Sequence, residues 1–140
     1  MKTPLEKDYI AEVMESGKAW GGGGFTTRCQ NFLSENLRSR ASVLTTSATD
    51  ALEMAAILLN VKPGDEVIMP SYTFVSTANA FVSRGATPVF VDVHRETQLI
   101  DHTLVASAIT EKTVAIVPVH YGGNSCDMRS LRQIAREHGL

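Results

Sequence analysis

Hydrophobic positions are spaced in one way over the first forty residues of this chain and in another way after them. Leu5, Ile10, Val13 and Met14 recur at loosely helical intervals among charged residues, which predicts an amphipathic helix over 5–15, ended by Ser16-Gly17-Lys18. Trp20 and the glycines at 21–24 follow, and Phe32, Leu33 and Leu37 then predict a second helix, entered near Thr26 or Thr27. From residue 42, short β-branched runs alternate with helical stretches. Strands are predicted at Ser42-Val43-Leu44-Thr45-Thr46, at 66–70, at 88–93 and at 114–119. Helices are predicted at 50–60, at 75–84, from an Asp101 N-cap to Ile109, and at 128–138. The 50–60 helix is apolar on most faces and is expected to be buried.

Strand and helix thus alternate four times, the pattern of an α/β domain whose mostly parallel sheet is covered by helices on both faces. The 140 residues suffice for one core, and no linker-like stretch divides them, which predicts a single unit. A hydrophobic share of 44% with 20% charged residues is that of an ordinary globular chain. A net charge of −2 gives no electrostatic case for nucleic acid or an anionic membrane. The charged first residues do not read as a signal peptide and no apolar run has the length of a membrane span, so a cytoplasmic protein is expected.

In open α/β sheets, ligands bind beyond the carboxyl ends of the strands. Those ends here are Ser47-Ala48-Thr49, Ser71-Tyr72-Thr73-Phe74, Asp92 and His120-Tyr121-Gly122-Gly123. A helix beginning at the first of them would offer unpaired amides and the positive end of its dipole, with the Ser47 and Thr49 hydroxyls as further donors; a phosphate fits such a spot, and ordinary capping is the alternative. An aromatic plate at Phe74 and an imidazole with a phenol at His120 and Tyr121 would suit a phosphate-bearing planar ring, although a core role is the default for a lone Phe. Asp92 reads as a turn or capping residue, because the glycine fingerprint that would make it a ribose ligand is missing. The glycines at 21–24 match neither nucleotide motif and read as a mobile connection. Cys29 and Cys126 are expected to be buried free thiols, and His94, His102, His120 and His138 show no metal-ligand spacing.

Five ordered motifs resemble the DegT/DnrJ/EryC1/StrS aminotransferases over essentially the whole chain. They are Ser47-Ala48-Thr49-Asp50-Ala51-Leu52, Pro63-Gly64-Asp65-Glu66-Val67-Ile68, Pro70-Ser71-Tyr72-Thr73-Phe74, Gly85-Ala86 through Val91-Asp92-Val93, and Val117-Pro118-Val119-His120-Tyr121-Gly122. The resemblance implies that residues 1–140 are the N-terminal segment of the large domain of a fold type I enzyme dependent on pyridoxal 5′-phosphate (PLP). It implies amination of a keto-sugar, with glutamate giving its amino group to C4 of a dTDP-4-keto-6-deoxyhexose in bacterial surface polysaccharide synthesis, by a homodimer. Carried over by residue, Ala48 and Thr49 would hold the PLP phosphate through backbone amides and the Thr49 hydroxyl, and Phe74 would stack on the pyridine ring. It also sets the glycine loop near the active site. Ala48 stands where the motif usually has glycine, and its Cβ would be costly if that position needed positive φ. Asp50 is expected to point away from the phosphate.

The lysine that holds the cofactor covalently, and the acid that keeps its ring nitrogen protonated, are implied to lie beyond the matching segment. Lys2, Lys7, Lys18, Lys62 and Lys112 match no catalytic position, and no catalytic residue is nominated. A non-catalytic remnant, or half of a split enzyme completed by a second chain, is the alternative expectation.

Overall fold

Val67, Ile68 and Met69 are all fully buried, and because side chains alternate across a strand they serve two different cores. They belong to β1 (Glu66–Pro70), the middle strand of a parallel three-stranded sheet ordered β2-β1-β3, where β2 is Thr87–Val91 and β3 is Thr113–Ile116. The computed structural model describes residues 5–140; residues 1–4, with Lys2 and the charged start of the chain, lie outside it. The described residues fall into two compact units, one ending at Thr46 and one spanning 47–140.

In the second unit, α3 (Ala48–Leu58) and α4 (Val75–Val82) cover one face of the sheet, where Val67 and Met69 meet Ala56, Ala80 and Phe81. α5 (His102–Ala108) and α6 (Met128–His138) cover the other, where Ile68 meets Ile100, Val105 and Leu131. Helices on both faces keep β1 apolar from Val67 to Pro70, as a buried parallel strand requires. β2 takes Pro88 without loss because it lies at the edge of this sheet, where a missing N–H breaks no ladder bond.

Caps set the helix ends. Ser47, Asp101 and Asp127 each accept backbone N–H groups at the starts of α3, α5 and α6. α3 ends in a Schellman motif: Asn60 takes φ +53°, its N–H donates to the Ile57 carbonyl, and the Val61 N–H donates to that of Ala56.

The first unit, over its described residues, consists of α1 (Leu5–Ser16) and α2 (Gly24–Leu37). Tyr9 and Phe25 meet edge to face at 5.4 Å, and the Arg28 guanidinium lies over both rings at 5.1 and 4.7 Å. α2 starts at Gly24 rather than at Thr26 or Thr27. The Gly23 carbonyl already accepts from the Thr27 N–H, and the Thr26 hydroxyl accepts from the Gly22 N–H, so the last glycine joins the helix.

Three further expectations fail. Residues 42–46 form no strand, since a β-pattern becomes a strand only where another strand lies alongside, and the sheet is built from 66–70, 87–91 and 113–116. α3 is not buried on most faces: Ala56 alone is buried, whereas Ile57, Leu58 and Leu59 are exposed. Cys29 is exposed and only Cys126 is buried. Among the described residues, no helix is long and apolar enough to cross a membrane.

Candidate functional site

The order β2-β1-β3 means that the chain leaves β1 to one side and later returns to its other side. The crevice where a ligand fits such a sheet therefore opens beyond the carboxyl ends of β1 and β3. Tyr72 follows β1 and Tyr121 follows β3, and they meet there: their ring centroids are 4.4 Å apart and the Tyr121 hydroxyl donates to that of Tyr72 over 2.8 Å. Donating this bond, helped by partial desolvation, holds the Tyr121 phenol above its ordinary range.

The segment after β3 is pinned to this edge. The Cys126 N–H donates to His120 Nδ1 (3.1 Å) and the Cys126 thiol to the Val119 carbonyl (3.1 Å). In a neutral imidazole that leaves the proton on Nε2, as a donor. Burial pushes the Cys126 thiol up, away from the reactive thiolate. Cys126 is thus a structural residue that orients His120.

A second constellation lies at the start of α3. Ser47 Oγ accepts from the Asp50 N–H over 3.1 Å, the capping role allowed by the sequence. The amides of Ala48 and Thr49, first in the helix, have no acceptor within it, and the dipole adds positive potential at the same place. Ala48 is exposed and is not among the residues of positive φ, so its Cβ strains nothing in the place of the usual glycine. Thr49 Oγ1 donates to Ser76 Oγ over 2.9 Å. This bond ties the start of α3 to the start of α4, whose N-cap is Phe74. Phe74 is 73% exposed, so it is no core residue, and its ring is free to meet a ligand.

Sequence reasoning named Ala48, Thr49 and Phe74 but missed Ser76, whose one signal was its place in the first turn of a helix that begins at the strand edge. Asp92 is exposed and its carbonyl accepts from the Asp101 N–H beside the antiparallel Val93–Ile100 bridge. Lys62 and Lys112 stand in the turns that lead into β1 and β3, at the opposite edge of the sheet. Lys7 and Lys18 belong to the first unit.

A profile of the DegT/DnrJ/EryC1/StrS aminotransferase family matches residues 2–140. The chain belongs to this family. NtdA from Bacillus subtilis, solved with bound cofactor PMP, is 37% identical with a TM-score of 0.90; the match covers 96% of this chain and 31% of that one. DesV of S. venezuelae is 34% identical with a TM-score of 0.88, over 97% of this chain and 37% of that one. For 3-amino-5-hydroxybenzoic acid synthase the values are 33% and 0.93, over 100% and 37%. The chain thus spans about a third of the length of these solved proteins, and nearly all of it is matched.

Proposed function

We propose that this chain is the N-terminal segment of the large domain of a PLP-dependent sugar aminotransferase, and that its share of the work is to seat the cofactor's phosphate and ring. The observation that carries this reading is the Thr49–Ser76 hydrogen bond, which brings two helix starts and an exposed aromatic ring to one edge of the sheet. The chemistry fits. The Ala48 and Thr49 amides would hold the phosphate, the Thr49 hydroxyl would turn its proton from Ser76 Oγ to a phosphate oxygen while accepting from the Ser76 hydroxyl, and Phe74 would stack on the pyridine ring. When bound, PLP supplies an electron sink for amino transfer, and the protein supplies binding and orientation.

Within this reading the amino donor is glutamate and the acceptor is the C4 carbonyl of a dTDP-4-keto-6-deoxyhexose, in a cytoplasmic homodimer. The segments Ser16-Gly17-Lys18, Gly23-Gly24-Phe25-Thr26 and Arg28-Cys29-Gln30 support a finer assignment. They resemble the dTDP-4-amino-4,6-dideoxygalactose transaminase of enterobacterial common antigen synthesis.

The test compares pyridoxamine 5′-phosphate with pyridoxamine, because neither carries an aldehyde that would react with surface lysines. Calorimetry is expected to show tighter binding of the phosphorylated compound, and Thr49→Val should weaken it by roughly tenfold or more, the worth of a hydrogen bond to a charged group. Equal affinity for the two compounds would remove the phosphate seat and the reading with it.

A further inference from the structure

The fold assembles a second group of donors that no spacing in the sequence announces. One ligand atom each from His94, Asp101 and His102 lies within 4.8 Å of the others, and all three residues are half-buried. His94 Nε2 is 3.6 Å from Asp101 Oδ1, the two imidazole rings meet edge to face at 6.1 Å, and His102 Nε2 is 3.9 Å from Asp127 Oδ2. We propose that His94, Asp101 and His102, with Asp127 as a fourth donor, form a binding site for a divalent first-row transition metal, zinc above all.

The frame is rigid. Val93 and Ile100 pair in an antiparallel bridge, the His94 N–H donates to the Leu99 carbonyl, and the Asp101 N–H donates to that of Asp92. His94 and Asp101 are therefore held across a short ladder, closed by the turn in which the Gln98 N–H donates back to His94. Asp101 is the N-cap of α5, His102 its first residue, and Asp127 the N-cap of α6. Beneath them, Leu99, Ile100, Val105, Cys126 and Leu131 form one buried cluster. Ligands carried on packed elements lose little freedom when they bind.

The donor chemistry selects the ion. Two imidazole nitrogens with carboxylate oxygens suit Zn²⁺, Co²⁺ or Ni²⁺, whereas Mg²⁺ and Ca²⁺ take oxygen sets. Around tetrahedral zinc with bonds near 2.0–2.2 Å, ligand atoms sit about 3.4 Å apart. For His94, Asp101 and His102, whose ligand atoms lie within 4.8 Å of one another, closing to that spacing takes roughly an ångström of side-chain movement, and Asp127 approaches from the side of His102, 3.9 Å from its Nε2. The amides at the starts of α5 and α6 oppose a cation, and the two carboxylates offset them. Asp101 Oδ1 accepts from the Thr103 N–H and hydroxyl, and Asp127 Oδ2 from the Ser130 hydroxyl. The Thr103 and Ser130 contacts orient these carboxylates as outer partners orient metal ligands.

The experiment uses the untagged chain with zinc alone, by calorimetry in neutral buffer. One equivalent is expected to bind, with His94→Ala and His102→Ala each weakening it at least tenfold and His138→Ala leaving it unchanged. Folding of each variant is checked by circular dichroism. Cobalt added to the unaltered chain should give the visible bands of a tetrahedral site, a readout that needs no variant. Failure of zinc to bind, binding that survives both histidine substitutions, or the absence of cobalt bands would overturn the site. Because the donors are distinct from Thr49 and Phe74, its failure leaves the phosphate seat standing, and the reverse also holds.

Discussion

Tyr121 is the residue whose titration reports the crevice between β1 and β3. Its hydroxyl donates to Tyr72, and a phenol that donates is harder to ionise. In the unfolded chain that bond is absent, so the folded pKa lies above the unfolded one. The bond's contribution to stability is fully present below the unfolded value and is lost as the pH rises through the folded one. Tyr72→Phe removes the acceptor, and ultraviolet titration should then find Tyr121 ionising at lower pH than in the parent chain. An unchanged titration would mean that the two hydroxyls do not meet in solution. Thr49 works at the same scale: its hydroxyl proton goes to Ser76, and a phosphate, which only accepts, would draw that proton away while Ser76 donates to Thr49 in return.

Turns decide how the elements are held, and Gly85 is the turn with least latitude. It links α4 to β2 at φ +87°, and a Cβ there would stand 2.8–3.0 Å from Pro63. Positive φ alone costs a side chain about 1–2 kcal/mol, and the clash with a proline ring adds to it. Gly85→Ala should therefore lower stability by about 2 kcal/mol or more, read as a lower urea midpoint at unchanged slope. Asn60, also at positive φ, is the gentler case, since an amide side chain tolerates this region. Much of this level was legible in the sequence. β1 and α6 fall where periodicity places them, and the Asp101 cap is where its spacing puts it, because local hydrogen bonding and side-chain alternation act over a few residues. Residues 42–46 were misread for the opposite reason. Val43, Leu44, Thr45 and Thr46 have strand propensity, but propensity by itself does not decide that a segment becomes a strand.

At the scale of the whole molecule, sequence order concealed what the fold collects. Ala48, Thr49 and Phe74 were named from the sequence and its family resemblance, whereas the contact of Tyr72 with Tyr121 and the His94–Asp101–His102 group needed the three-dimensional fold. The two helix layers are unequal in exposed apolar surface. On the α3–α4 layer Leu58 is 78% exposed and Val82 45%, beside Ile57, Phe74 and Val75, whereas on the α5–α6 layer Leu104 stands out alone and α6 turns Arg129, Arg132, Arg136 and Glu137 outward. Several exposed large apolar side chains on one layer offer a surface that a solvatochromic dye such as ANS should bind. Leu58→Lys combined with Val82→Lys is expected to lower dye fluorescence while the thermal midpoint stays within a few degrees, because neither side chain is fully buried and the stem of a lysine can cover the apolar surface that each leaves. Leu104→Lys, on the polar layer, should change the dye signal much less. Equal effects from both layers would show that the asymmetry of exposed apolar surface is absent in solution. A large fall in midpoint for the double variant would show that Leu58 and Val82 are packed rather than open to solvent.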